Sequence, residues 1–143
     1  MDVVLRPVED DDLPRFFEMF RDPESVAMAG VPARDPEAFH AHWAKIRADP
    51  LIVLRTVTAD GEVVGNVLCF PRDGRQELGY WVAREHWGRG IASAAVRAFL
   101  AEYPARPLAA GILESNLGSL RVIARSGFVE MSREDGFVTL RLD

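Results

Sequence analysis

The sequence holds a single cysteine, Cys69, so no disulfide can close within it. Cys69 lies in the apolar run VVGNVLCF and reads as a small core residue, not as a nucleophile. Neither it nor the three histidines fall at zinc-ligand spacing, so no metal site is expected. Lysine is as scarce: of 17 basic residues only Lys45 is a lysine, which reads as genome composition and not as function. Long apolar runs are missing too. None approaches the ~18 residues of a membrane-crossing helix. The opening MDVVLRPVEDDD lacks a secretory pattern, so the expected location is the cytoplasm, with no membrane partner. A net charge of −5 speaks against a nucleic-acid partner, which would call for a basic face. It mildly favours cationic partners such as amines. With 48% apolar and 27% charged residues, the 143-residue chain suits one domain spanning residues 1–143.

The pattern along the chain predicts an α+β fold. Residues 3–7 read as a short strand. Asp10–Asp12 then offers a cap to a helix whose Leu13, Phe16, Phe17 and Phe20 fall at i, i+3, i+4 and i+7. SVAMAGVPARD (25–35) reads as a loop, and a second helix is predicted over 35–48. LIVLRTVT and EVVGNVLCF flank Ala59-Asp60-Gly61, a hairpin signal, and ELGYWVA (77–83) extends the meander. A helix with Ala92, Val96, Phe99, Leu100 and Tyr103 on one face ends before Pro104. ARPLAAGIL (105–113) follows as a strand, then a helix capped by Asn116 and stopped at Gly127, then a closing hairpin. The order β-α-α-β-β-β-α-β-α-β-β implies a mixed, mostly antiparallel sheet of six or seven strands, about four helices, and one βαβ crossover.

EHWGRGIASAAV (85–96) sets two glycines at the mouth of the third predicted helix. The first turn of a helix carries amides without intrahelical partners and roughly half a positive charge. Gly88 and Gly90 remove side chains that would block approach, and Arg89 adds a cation, which together suit a phosphate or pyrophosphate. A tight strand-to-helix turn is the plainer alternative. A dinucleotide fingerprint fails because Ser93 stands at the third glycine position, and a P-loop fails for want of a lysine.

Residues 85–90 (EHWGRG) resemble the Gln/Arg-x-x-Gly-x-Gly/Ala motif of the GNAT superfamily of acyl-CoA-dependent N-acetyltransferases, with Glu85 in place of Gln or Arg. ELGYWVAREHWGRGIASAAV and, downstream, ESNLGSLRVIARSGF (114–128) are similar to the branch that includes ribosomal-protein N-terminal acetyltransferases. The resemblance covers residues 77–128 and implies a three-layer GNAT-like fold with acetyl-CoA as co-substrate and no metal. It places Val82, Ala83 and Arg84 beside the pantetheine arm. It sets the amides of Trp87, Gly88, Arg89, Gly90, Ile91 and Ala92 around the pyrophosphate, with Asn116 and Ser119 also at the cofactor. Homodimers are frequent in this fold, so a homodimer is the corresponding expectation.

The implied reaction moves an acetyl group from a thioester to a primary amine by direct transfer in a ternary complex. It needs a neutral amine, an oxyanion stabiliser and an acid for the departing thiolate. Many family members supply that acid from a tyrosine seven residues after the asparagine, where this chain has Ile123. The resembling branch points to Ser119 instead. Asn116 and Ser119 also fit a plain N-cap and its N3 residue. Glu77 is the nearest candidate base, against a solvated strand carboxylate or a water chain. His86, His40 and His42 read as surface or structural histidines. Residues 22–50, with the acids Asp22, Glu24, Asp35 and Glu37, are expected to line the acceptor cleft and to favour a small or peptidyl amine over an acidic one. The alternative function is an acyl-CoA-binding sensor or regulatory module of the same fold without transfer.

Overall fold

A computed structural model describes all 143 residues. The strands are β1 (Val3–Arg6), β2 (Val53–Ala59), β3 (Glu62–Arg72), β4 (Arg75–Val82), β5 (Leu108–Leu113), β6 (Val129–Glu134) and β7 (Phe137–Leu142). They form one sheet in the order β1-β2-β3-β4-β5-β7-β6. Every pairing is antiparallel except β4 with β5, the product of the single crossover. The helices are α1 (Leu13–Phe20), α2 (Pro23–Ala29), α3 (Pro36–Ala48), α4 (Ile91–Glu102) and α5 (Leu117–Arg125). None is long and apolar enough to cross a membrane.

The fifth helix is a correction. Residues 23–29 form α2, where the sequence pattern predicts a loop. Its signals are local: Asp22 accepts from the Ser25 amide, Pro23 opens the first turn, and Gly30 closes it at φ 73°. It lacks the apolar periodicity that marks α1, because Ser25 and two alanines occupy its short span.

Two apolar layers hold the sheet. Val96, Phe99 and Ile91 of α4 and Ile123 of α5 pack on Val57, Val64 and Val67 of one face. Phe16, Phe39 and Trp43 fill the α1–α3 side with Trp81 against them. The Phe16–Trp43 centroids lie 5.0 Å apart, and Phe20 meets Trp81 edge-on at 4.6 Å. Each fully buried side chain of this size contributes about 1.5–3 kcal/mol.

Asp12 fastens the first helix to the sheet. Its carboxylate takes both Arg6 guanidinium nitrogens at 2.8 Å, the Thr56 hydroxyl at 2.6 Å and the Glu9 amide at 2.9 Å. Burial pushes its pKa up, yet the Arg6, Thr56 and Glu9 hydrogen bonds outweigh that and hold it below the usual 3.8. Asp12→Ala leaves Arg6 without its partner and is expected to cost about 3 kcal/mol in chemical denaturation. Because the folded pKa is depressed, this stabilisation is complete above the ordinary carboxylate value and lost as pH falls through the lowered one. The wild type should therefore lose stability more steeply than the variant below about pH 4. Parallel acid curves would refute the assignment.

Candidate active site

The site begins where β4 leaves β5. These neighbours pair only at Gln76↔Leu108 and Glu77↔Ala109. Antiparallel partners bond at alternate positions, and the Ala83 amide donates to Val64 O at 2.9 Å, so Trp81 and Gly79 face β3 with it. The amides and carbonyls of Tyr80 and Val82 consequently turn to the open edge. Gly65 permits the close approach of β3 and β4 there, since a Cβ would lie 2.0 Å from Trp81 O. Along the gap runs a cleft of about 530 Å³, walled by β4, β5, α2, α5 and the mouth of α4.

At that mouth the Trp87 amide is taken by Arg84 O, but no amide from residue 88 to 93 has a backbone partner. The first intrahelical bond of α4 is Ala94 N to Gly90 O. Gly88 and Gly90 hold φ near +76° and +78°, and a Cβ on either would point into open space. The result is a bare run of donors at the positive end of a helix, fit for a pyrophosphate. Arg121 and Arg125, one turn apart on α5, line the same cleft and make no ion pair. They were not singled out in the sequence reading, although their i, i+4 spacing puts them on one helix face.

Ser119 lines the cleft, and its hydroxyl lies 2.5 Å from that of Tyr80. Burial raises the Tyr80 pKa above its usual 10, with the Ser119 bond pulling the other way. Tyr80 is a further candidate that sequence reasoning missed; it lies in the quoted ELGYWVA strand but 39 positions from its partner. Asn116 is occupied: its Oδ1 accepts from the Ser119 amide at 3.2 Å, and its Nδ2 donates to Met28 O at 3.2 Å, joining α5 to α2. Ile123 is fully buried in the core.

Val82, Trp87, Gly88, Gly90, Ile91 and Ala92 line the cleft as the resemblance implies, and the Trp87 indole donates to Val82 O at 2.8 Å. Other candidates are not brought there. Ala83 is bonded into the sheet, and Arg84 turns to Asp22 and Glu24 at 3.1 and 3.5 Å. Arg89 keeps its amide in the free run at the mouth of α4, and only its guanidinium turns away, donating to His86 Nδ1 at 3.0 Å. Glu85 pairs with Arg15 at 2.5 Å, which spends the side chain at the motif's variable first position on α1. Glu77 is buried and ion-paired with Arg72 at 3.2 Å, outside the cleft lining.

The family model described as an acetyltransferase (GNAT) domain matches residues 2–129. The chain belongs to the GNAT acetyltransferase family, and coenzyme A, carrying the acetyl group, is its co-substrate. Among curated protein sequences none matches at a significant level. The GNAT domain of S. lividans PAT is 26% identical over 97% of this chain and 89% of that one, with TM-score 0.74. The spermidine N-acetyltransferase of Vibrio cholerae, solved with CoA and spermine, is 16% identical over 97% and 92%, with TM-score 0.82. Mycobacterium smegmatis RimJ, solved with CoA-disulfide, is 21% identical over 98% and 81%, with TM-score 0.79.

Gly90→Val sets a β-branched side chain at a positive φ and into the open cradle. Coenzyme A binding should weaken by about tenfold or more, ~1.4 kcal/mol, with the fold retained. Calorimetry comparing coenzyme A with its pantetheine fragment supplies the control. Equal wild-type affinities for the two would mean that the loop holds no phosphate.

Proposed function

We propose that residues 1–143 act as one N-acetyltransferase domain that moves an acetyl group from acetyl-CoA to a primary amine by direct transfer. The observation that carries this reading is the Tyr80–Ser119 hydroxyl pair, set in the cleft beside the glycine loop. The likeness to RimJ, with the two sequence blocks, supports the ribosomal-protein acetyltransferase-like branch. The spermine held by the Vibrio enzyme supports an amine as acceptor.

Acetyl-CoA supplies a thioester whose carbonyl carbon accepts a neutral amine and whose sulfur departs as a thiolate. The C–N bond forms as the C–S bond breaks, the ammonium proton leaves to water, and the sulfur takes a proton. Ser119 is the residue placed to deliver it. A serine hydroxyl alone is a poor acid, because its alkoxide is far more basic than a thiolate of pKa about 8.5. Tyr80 removes the difficulty: Ser119 gives its proton to sulfur while taking one from Tyr80, so the negative charge ends on a phenolate and never on serine. A tyrosine pKa near 10 lies closer to that of the thiol, as efficient acid catalysis requires. The raised pKa of Tyr80 keeps its proton on at working pH. Asn116, holding the Ser119 amide, positions the donor.

Ser119→Ala should lower kcat and kcat/KM together by about a hundredfold, with KM for acetyl-CoA little changed. Tyr80→Phe should do the same, and the double variant should be no worse than the poorer single one, as for groups acting as a unit. Turnover should rise with pH as the amine loses its proton, and any fall from loss of the Tyr80 proton should come only beyond the ordinary tyrosine range, because burial raises its pKa. Full turnover in Ser119→Ala would leave the pair as structure. Thiol release with no amine at all among a broad panel would favour the sensor alternative.

A further inference from the structure

A second cavity, of about 280 Å³, lies on the α1–α3 side of the sheet and meets the coenzyme A cleft at Gly79, Tyr80 and Trp81, which line both. Its walls are largely apolar, with Phe20, Phe39, Trp43 and Ile46 among them. Its volume falls near the low end for ligand sites, ~300–1,000 Å³, which fits a small molecule. No carboxylate lines it. Arg34 stands at its rim without an ion pair or side-chain hydrogen bond.

Four buried side-chain polar atoms in the protein lack a hydrogen-bond partner, and three belong to residues lining this cavity: Asn66 Nδ2, Trp43 Nε1 and Trp81 Nε1. All three are donors. Asn66 is only 2% exposed, and an orphaned buried amide costs roughly 1–3 kcal/mol unless something completes it. The acids expected to attract a cationic acceptor are engaged elsewhere. Asp22 caps α2 and meets Arg84, Glu24 also meets Arg84, Asp35 caps α3 through the Ala38 amide, and Glu37 is exposed outside the lining.

We infer that this cavity receives the acceptor of the transfer proposed above, and that the acceptor is a small amino-acid-like amine with an apolar side chain, its carboxylate held by Arg34. The carboxylate satisfies the free guanidinium. The apolar part of the molecule meets the aromatic wall. A polyamine would instead bring several cations to a cavity with Arg34 at its rim and no anion to meet them. His42 also lines the cavity, and burial, with Arg34 and Lys45 nearby, lowers its pKa below 6.5. It is neutral at pH 7 and adds no competing charge. The amine end points toward Gly79–Trp81, where the two cavities join.

The test pairs acceptors that differ only in the carboxylate: leucine against 3-methylbutylamine, phenylalanine against phenethylamine, with spermidine as a third arm. Thiol release from acetyl-CoA reads transfer, and calorimetry without acetyl-CoA reads binding. The amino acids should bind and react about tenfold better than their decarboxylated partners, a difference of ~1.4 kcal/mol. Arg34→Gln should bring each pair to parity, and Arg34→Glu should favour the decarboxylated amine. Arg34 is exposed, so neither variant threatens the fold. Equal or better use of the decarboxylated amines or of spermidine overturns the inference, as does a carboxylate preference that survives in Arg34→Gln. A preference seen in calorimetry, lost in Arg34→Gln, without thiol release from any amine keeps the cavity assignment and refutes the transferase reading.

Discussion

Two residue pairs are all that join β4 to β5, and the molecule is arranged around the gap beyond them. A parted pair of strands leaves backbone amides and carbonyls without partners, a costly state unless water or a ligand completes them. The rest of the sheet absorbs that cost. β3 pairs with β4 over eight positions, Gly65 lets the two backbones close up at Trp81, and β7 secures β5 from the other side over six. With its other edge held, β4 can afford an open one. The Trp87 indole satisfies Val82 O at the end of that edge and so fixes where the glycine loop begins. Cleft and anion cradle are thus two consequences of one interruption in pairing.

The same interruption explains how the proposed acid could arise without the family's usual tyrosine. On α5 that position is Ile123, committed to the core, where a hydroxyl would be buried without a partner. Tyr80 reaches the cleft from β4 instead and meets Ser119 on α5 across the gap. The pair can exist only because the strands part, since a β5 paired along its whole length would fill the space between them. Asn116 then has a structural and an orienting role at once. It caps α5, holds the Ser119 amide, and ties α5 to α2 through Met28.

Much of this was legible in the sequence for identifiable reasons. The heptad-like stripe of α1, the Asp60-Gly61 hairpin and the bare glycines ahead of α4 are local signals, and each is found where its chemistry predicts. α2 was misread because it declares itself by caps and not by periodicity. The glycine loop was legible in its own residues, whereas Ser119 came into view only through the GNAT resemblance. Tyr80 was not legible, for its meaning depends on a partner on another element. Glu77 shows the converse error. A carboxylate on the splayed strand looked available for proton transfer, yet its place at the paired end of β4 sets it against Gly111 and Arg72 instead. The alternation of a strand tells which face a side chain takes, but not how far along the strand the opening starts.

Charge follows a similar logic. The net charge of −5 suggests a protein that attracts cations, but the average conceals the distribution. Acids on the helical side are used at short range: Asp12 locks α1, Asp22 and Asp35 cap α2 and α3, and Glu85 binds Arg15. A carboxylate paired with a guanidinium has its field offset at a distance, and one that caps a helix is held at the helix end. Arg121 and Arg125 in one cavity and Arg34 in the other have no such partners, so both cavities are lined by unpaired cations in an acidic protein. For the first cavity this matches a polyphosphate cofactor. For the second, pairing with Arg34 offsets the acceptor's own carboxylate, so that carboxylate does less to hold up the pKa of the amine beside it. A lining without carboxylates therefore leaves the amine free to lose its proton, whereas a ring of acids would have bound it more tightly and kept it protonated.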